Sequence, residues 1–232
     1  MSDKLHALII VAHPDDESYV FGGATIMFVT QGKTVGVICA TAGEKGVDRM
    51  NLGRSPKELA EIRAEELHAA CQLMGCECKK IFQYPDGGLS EENFTSLVQD
   101  LTEQVNLYKP EVVLTFGSEG ITGHRDHILI GQAAMEASKR AEFNPSEIWL
   151  AGMPRSVIKN FQEHMNQRKV HHSHFEKNIL EGMPDEKLKM IDLEKFAELK
   201  HQAIKTHASQ YTPSLVANEF LKNEGYEIIK LP

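Results

Sequence analysis

The chain has 232 residues, of which 41% are hydrophobic and 25% are charged, and its formal net charge is −8. These values are ordinary for a soluble globular protein, and the length allows a core that needs neither disulfides nor a structural metal. The acidic balance, without a stripe of lysine and arginine, argues against a nucleic-acid partner.

The N-terminal region and the cysteines bear on location. The first apolar run, residues 7–12, is too short for a signal peptide or a membrane span, so we expect a cytoplasmic protein without membrane association. Cys39 lies in a strand-like run, and Cys71, Cys76 and Cys78 lack CxxC spacing. Four reduced thiols in a reducing compartment are therefore expected.

Strand-like apolar runs alternate with helical patterns along the chain. Strands are predicted over Leu5–Ala12, Thr34–Ala40, Lys79–Tyr84, Glu111–Phe116 and Ser146–Leu150. Helices are predicted over Glu17–Gln31, Pro56–Met74, Glu92–Tyr108, Asp126–Arg140 and Asp192–Gln210. The stretch 160–185 has weak periodicity and is interpreted as an irregular insertion. The alternation predicts one α/β domain over residues 1–232, with a Rossmann-like, mostly parallel sheet flanked by helices on both faces.

Polar loops follow four of these strands, at residues 13–17, 41–44, 85–87 and 117–127. In open parallel sheets, ligands bind outside the carboxyl ends of the strands. The four loops are therefore expected to converge on one binding site.

Two of the loops carry residues suited to a metal. The first reads AHPDDE over Ala12–Glu17, and the second reads GHRDH over Gly123–His127. An aspartate pair and three histidines suffice for a three-ligand zinc site with an additional base and acid. The alternative is that the acids compensate a helix N-terminus and the histidines are polar loop residues. Because both motifs occur at equivalent strand ends, the metal site is favoured.

These two motifs resemble the signatures of the LmbE-like deacetylases, the family that includes the PIG-L enzyme and the deacetylases of mycothiol and bacillithiol synthesis. Weaker matches follow in the expected order: TAGE at 41–44, IRAEEL at 62–67, YPDGGL at 84–89 and HASQ at 207–210. The chain departs from the family at Arg125, where proline is usual, but both histidines of that motif are present. In length the chain is most similar to the bacillithiol type.

The resemblance implies a hydrolase of linear amides that removes the acetyl group of an N-acetylglucosamine derivative, such as N-acetylglucosaminyl-malate. It assigns His13, Asp16 and His127 as ligands of Zn²⁺, with Fe²⁺ as another metal to consider. A metal-bound water would be the nucleophile and Asp15 the general base. Only the resemblance, and not the residues themselves, indicates an amino-sugar substrate.

Two residues of the second motif are further catalytic candidates. His124 would stabilise the oxyanion, as a cation or as a hydrogen-bond donor. Asp126 would orient a histidine from outside the metal's ligand set. The alternative role for Asp126 is to cap the helix that follows, and the two roles are compatible.

Five residues are candidates to contact the substrate, and each has a structural alternative: Glu44, Arg54, Arg63, Asp86 and His207. Glu44 is otherwise an exposed loop acid, and Asp86 a turn former. Arg63 is otherwise paired with Glu66 or another acid. His207 is otherwise a structural or exposed helix residue.

Other functions are weighed against this one. A nucleotide-binding Rossmann protein would need a glycine-rich loop after the first strand, whereas Gly22 and Gly23 lie inside the predicted first helix. A non-catalytic binding module would be expected to lack Asp15 or a ligand. An amidase of thiol-sugar conjugates is the nearest rival. We also expect a homo-oligomer, a trimer or hexamer, since relatives often assemble so, and interpret His171, His172 and His174 as a solvated loop.

Overall fold

The computed structural model describes residues 4–159, 181–213 and 221–232. The strands are β1 Ala7–Val11, β2 Val35–Thr41, β3 Glu77–Tyr84, β4 Val112–Phe116, β5 Glu147–Ala151, β6 Lys189–Asp192 and β7 Asn223–Lys230. The α-helices are α1 Asp16–Tyr19, α2 Gly22–Thr30, α3 Pro56–Met74, α4 Glu91–Tyr108, α5 Gly120–Gly123, α6 Arg125–Arg140 and α7 Ala197–Thr206, with 3₁₀ turns at Asp185–Lys187 and Glu194–Phe196.

The strands form one mixed sheet in the order β3-β2-β1-β4-β5-β7-β6. The five neighbouring strands β3, β2, β1, β4 and β5 are parallel to one another, whereas β7 is antiparallel to both β5 and β6. The predicted mostly parallel α/β sheet is confirmed. Because β1 pairs with β2 on one side and β4 on the other, the strand order reverses between β1 and β4. A crevice at that reversal is where such sheets bind ligands.

The central strands form the core. Every residue of β1, β2 and β4 is buried, as expected for strands covered on both faces. Helix α4 packs on α6, while α3 packs on α7 and α2, so the helices form two groups. Within the described ranges, no helix is both long enough and apolar enough to span a membrane.

Local chemistry explains why α3 has the predicted bounds. Ser55 and Glu58 form a capping box at its start, Pro56 occupies the first turn, and Gly75 ends it in the left-handed conformation at φ 79°. Sequence signals for both ends are therefore present, and the two ends are predicted correctly.

The helix predicted over Glu17–Gln31 is wrong as one element. The chain leaves the helix after Tyr19, and α2 begins only at Gly22, with Phe21 as its N-cap. The break separates α1, which lies at the end of β1, from α2.

The C-terminal part of the fold differs most from the predicted elements. Strands β6 and β7 were not predicted, and the helix predicted over Asp192–Gln210 is confined to α7 after a 3₁₀ turn. Most of the insertion predicted at 160–185, with His171, His172 and His174, lies outside the described residues. At its end, Met183 pairs with Pro154 in an isolated parallel bridge.

Candidate metal centre and active site

The site lies where β1 and β4 end, at the reversal of the strand order. His13 follows β1, Asp16 begins α1, and His127 lies in the first turn of α6, after β4. The side chains of all three are about nine-tenths buried. The two motifs, more than 100 residues apart in sequence, are thus joined by the central strand pairing.

Four potential ligand atoms from three residues converge. His13 Nδ1 lies 3.2 Å from His127 Nε2, His127 Nε2 lies 3.2 Å from Asp16 Oδ1, and His13 Nδ1 lies 3.5 Å from Asp16 Oδ2. Ligand atoms bound about 2.0–2.2 Å from a tetrahedral zinc are roughly 3.3–3.6 Å apart. The spacing and the donor set of two imidazoles and one carboxylate therefore fit a divalent metal.

Both imidazoles direct their remaining nitrogen at an oxygen acceptor. His127 Nδ1 lies 2.9 Å from the carbonyl oxygen of Gly120. His13 Nε2 lies 3.2 Å from Asp126 Oδ2 and 3.3 Å from Asp86 Oδ1. Each outer nitrogen would carry the proton, which leaves a lone pair on each inner nitrogen for the metal. Gly120 is required here, because a Cβ at this position would come within 2.7 Å of His127 Cβ.

His13, Asp86 and Asp126 form a second group with ligand atoms close enough to hold a metal. The carboxylates of this group are already used, however. Asp126 accepts backbone N–H bonds from Gly87 at 2.8 Å and Leu89 at 3.2 Å, and Asp86 Oδ2 accepts one from Lys45 at 2.8 Å. We therefore assign this group to the support of His13.

Acidic groups surround His13 and set its charge preference. Burial lowers the pKa of His13, but hydrogen bonds to Asp126, Asp16 and Asp86 outweigh burial and hold the pKa well above its usual value. Burial likewise opposes ionisation of Asp16, yet His127 and His13 keep its pKa well below the usual value. The cluster thus favours positive charge at its centre, as a metal site requires.

His124 joins His13 and His127 in a further group of converging ligand atoms. Its Nδ1 accepts a hydrogen bond from the Asp126 backbone N–H at 3.1 Å, so the proton of the neutral ring lies on Nε2. Burial and the neighbouring His13 and His127 lower the pKa of His124 to about 4. Of the two predicted forms, the neutral hydrogen-bond donor is favoured over the cation.

The same contact corrects the predicted helix cap. The N-cap of α6 is His124, and Asp126 lies inside the first turn. The alternative role of Asp126 as the cap is wrong. Its carboxylate lies 3.2 Å from His13 Nε2, and the orienting role stays a prediction.

Asp15 is a carboxyl group with an unusual environment. Burial raises its pKa to about 6, Asp16 and Glu17 act in the same direction, and Arg63 and His207 act against them. The side chain is 21% exposed, so it is open to a bound molecule. A carboxylate with a raised pKa beside a metal site is suited to general-base work.

Arg63 pairs with an acid, as its structural alternative predicts, but the acid is Asp15 rather than Glu66. Its Nη2 lies 3.4 Å from Asp15 Oδ1 and donates to the Pro14 carbonyl, while Nη1 donates to the Gly43 carbonyl at 2.8 Å. Gly43 is necessary because a Cβ there would collide with the guanidinium.

Glu44 and Asp86 connect two of the strand-end loops. Glu44 Oε1 accepts the Asp86 backbone N–H at 2.8 Å, and Asp86 in turn accepts the Lys45 N–H. Asp86 also contacts His13, so Asp86 lies at the candidate metal site, and Glu44 is joined to it through the Asp86 backbone.

Arg54 and His207, both predicted to contact the substrate, are bound to other side chains of the protein. Arg54 Nη1 binds Asp48 Oδ1 at 3.0 Å within its own loop, and no contact described for its side chain joins it to the metal ligands. His207 is fully buried, with Nε2 at 2.7 Å from Glu17 Oε1. Burial opposes protonation of His207, but Glu17 outweighs it and raises the pKa.

Glu17 is the residue that sequence reasoning missed. It is the last residue of AHPDDE, where the pattern predicts the start of a helix. The available signal was its place in the motif, but its burial and its partner near the C-terminus could not be deduced from local sequence.

The fold and this site define an α/β protein with a His/Asp cluster that fits a divalent metal, beside a carboxyl group of raised pKa, at the reversal of the strand order. A family model described as PIG-L: GlcNAc-PI de-N-acetylase matches residues 8–138, more than half of the chain, and the chain belongs to this family. The predicted resemblance is confirmed.

Relatives and solved structures agree with this assignment. A probable N-acetyl-alpha-D-glucosaminyl L-malate deacetylase 2 of Bacillus subtilis is 27% identical over 89% of this chain and 84% of its own length. The enzyme of the same name in Bacillus cereus is 30% identical, but the match spans 58% of this chain and only 61% of that relative. A mycothiol S-conjugate amidase of Streptomyces coelicolor is 23% identical over 99% of this chain and 93% of its own. These relatives are hydrolases named for deacetylase or amidase activity, as predicted.

The fold is shared with N,N'-diacetylchitobiose deacetylase from Pyrococcus horikoshii. The TM-score is 0.67 at 21% identity, over 97% of this chain and 84% of that one. This likeness concerns the fold alone.

Proposed function

We propose that this protein hydrolyses the N-acetyl group of an N-acetylglucosamine conjugate, with N-acetylglucosaminyl-malate as the first substrate to test and zinc as the metal. The observation that carries the proposal is the convergence of His13, Asp16 and His127 beside Asp15, a carboxyl group with a raised pKa. The reaction adds water across the amide C–N bond and releases acetate and a free amine.

His13 Nδ1, His127 Nε2 and an Asp16 carboxylate oxygen would hold the metal. Bound there, zinc would supply Lewis acidity and lower the pKa of a water to about 7. Asp15 takes a proton from the attacking water and returns it to the departing amine nitrogen. The pKa of Asp15, about 6, suits both directions of transfer near neutral pH.

His124 stabilises the negative charge that develops on the acetyl oxygen. Its Nδ1 is held by the Asp126 N–H, so Nε2–H is the donor directed at the substrate. Asp126 and Asp86 orient His13 through Nε2.

The predicted substrate-binding residues are sorted by whether they contact the proposed metal site. We propose that Glu44 and Asp86, which join two loops at the metal site, face the sugar hydroxyls. Arg63 acts mainly on Asp15, and Arg54 contributes mainly to the order of its own loop. His207 is too deeply buried to contact a sugar in this conformation.

An amidase that acts on a thiol-sugar conjugate is the second candidate. It is favoured by the Streptomyces coelicolor relative, whose match covers nearly the whole of both chains. The same residues would serve, because both reactions hydrolyse an amide.

The test is a panel of N-acetylglucosamine conjugates and one mycothiol S-conjugate, assayed for free amine with the zinc-loaded protein. We expect the greatest kcat/KM for N-acetylglucosaminyl-malate, loss of activity with chelator and recovery on addition of zinc. A preference for the S-conjugate would select the amidase. Release of no amine from any compound would reject both.

Three finer assignments belong to the same proposal. The metal is zinc rather than Fe²⁺, the protein is a trimer or hexamer, and it acts in the cytoplasm, where the four free cysteines remain reduced. Elemental analysis after anaerobic purification and light scattering would check the first two.

A further inference from the structure

Asp15 has a backbone conformation that residues other than glycine rarely adopt. Its φ is 117° and its ψ is −28°. Such a conformation has a steric cost and persists only where neighbouring contacts hold it. Because the backbone of Asp15 determines where its carboxylate points, those contacts help to set the geometry of the site.

One buried carboxylate holds the Asp15 amide. The Asp15 N–H donates to Glu17 Oε2 at 2.9 Å, while the Asp15 carbonyl accepts from the amides of Ser18 and Tyr19 at 3.0 Å. The Glu17 side chain is fully buried. Its orientation therefore depends on what its other oxygen, Oε1, contacts.

The partner of Glu17 Oε1 comes from the far end of the chain. His207 Nε2 lies 2.7 Å from this oxygen, and Ser18 Oγ donates to it at 2.5 Å. Among the described residues, the buried His207 Nδ1 has no hydrogen-bond partner. The polar contacts of the ring are thus made through Nε2, on the side of Glu17.

The segment that carries His207 is itself fixed. The His207 carbonyl accepts the amides of Gln210 and Tyr211 at 2.9 and 2.8 Å. Ser209 donates from both N and Oγ to the Glu66 carboxylate on α3, at 2.7 Å each. His207 can therefore act as a firm support for Glu17.

We propose that Glu17 and His207 are positioning residues for Asp15: His207 orients the Glu17 carboxylate, and Glu17 holds the Asp15 backbone in its left-handed conformation. The inference rests on the proposed function in one respect, that Asp15 is the general base. His207 was predicted to contact the substrate directly. In this inference it acts on the substrate only through Glu17 and Asp15.

The experiment compares His207→Leu, which removes the donor, with His207→Gln, whose side-chain amide can donate to Glu17. His201→Leu is the matched control, since His201 lies on α7 and contacts the Tyr211 hydroxyl instead. For each protein, kcat and KM are measured with the conjugate that the wild type turns over fastest, together with bound zinc, Tm and a crystal structure.

We expect His207→Leu to lose roughly 10²-fold in kcat, the scale expected of a misplaced catalytic group, with KM and bound zinc changed by less than about twofold. The crystal structure should show Asp15 outside the left-handed region. His207→Gln should restore that conformation and most of the activity, and His201→Leu should resemble the wild type. Unchanged kcat and unchanged Asp15 φ in His207→Leu would overturn the inference, as would equal losses in the Leu and Gln variants.

Glu17→Gln keeps the test decisive if His207→Leu does not fold. In wild type, Asp15 and His207 bind different oxygens of Glu17, and in this variant one of those positions becomes an NH2 group that cannot accept. We therefore expect a loss of kcat smaller than that of His207→Leu and a shifted Asp15 backbone, and wild-type values of both would reject the inference. If the wild type releases amine from none of the conjugates, the proposed function fails, whereas the Asp15 conformation in the variants still decides this inference.

Discussion

Two buried glutamates hold the backbone that follows β1, and each has a basic partner from the C-terminal part of the chain. Glu17 binds the Asp15 amide and His207. Glu224, on β7, accepts the amides of Gly23 and Ala24 at the start of α2 and contacts Lys200 Nζ at 2.7 Å. The two clusters are similar in burial and in charge.

The difference between them lies in what they hold. Glu224 accepts the free backbone N–H groups at the start of an ordinary helix, and it also accepts a hydrogen bond from the Tyr226 hydroxyl at 2.6 Å. Glu17 holds a strained residue that is also the base in our proposal. Burial of an acid is thus a poor marker of function by itself. What distinguishes the two glutamates is the residue that each one holds. Glu17 holds the proposed base, whereas Glu224 holds only the start of a helix.

His127 should show the largest effect, because it is a proposed metal ligand rather than a support. We expect His127→Gln to reduce bound zinc from near one to below roughly one-tenth of an equivalent per chain, and activity in proportion. Elemental analysis and the amine assay measure both. A full complement of zinc in the variant would remove His127 from the ligand set.

The second largest effect is expected at Asp15, the residue whose amide Glu17 binds. Asn tolerates left-handed backbone better than most residues, so Asp15→Asn should keep the local conformation while removing the base. We expect kcat to fall by about 10²–10⁴-fold with bound zinc unchanged. Turnover at the wild-type rate would show that another group accepts the proton.

Glu224→Ala tests the other cluster. The substitution leaves the Gly23 and Ala24 amides without their acceptor and removes the carboxylate beside Lys200. Loss of one member of a buried pair typically costs about 3–5 kcal/mol, which urea unfolding would measure. Glu227→Ala on the same strand is the control, with a change below about 1 kcal/mol. We expect zinc and kcat per folded molecule to be retained, and a large loss of kcat at unchanged stability would contradict the distinction between the clusters.

Sequence reasoning predicted the parts of the molecule that depend on short-range signals. The bounds of α3 follow from the amphipathic pattern that begins at Pro56 and from Gly75, and the approach of His13 to His127 follows from the parallel pairing of β1 and β4. Both conclusions need only local pattern and the rule that strand ends in a parallel sheet meet at one edge.

Contacts between distant segments that do not both follow strands of the parallel sheet could not be predicted in this way. Glu17 and His207 are 190 residues apart, and nothing near either residue indicates the other. The same holds for Arg63, whose spacing to Glu66 indicates a pair on one helix. In the fold, Arg63 pairs with Asp15, and Glu66 accepts a hydrogen bond from Ser209. Strands β6 and β7 were missed because an antiparallel edge does not follow from alternating strands and helices.

Arg54 should show the smallest effect, and it tests where the site ends. Its guanidinium is paired with Asp48 in a loop that also carries the exposed Val47 and Leu52. A pair of this kind near the surface contributes about 0–1 kcal/mol. Even if the whole of this contribution were lost from the transition state, it would correspond to about fivefold, at roughly 1.4 kcal/mol per factor of ten, so we expect Arg54→Ala to change kcat/KM by less than about fivefold. A tenfold rise in KM at constant kcat would mean that Arg54 leaves Asp48 to bind the conjugate, and this loop would then belong to the substrate site.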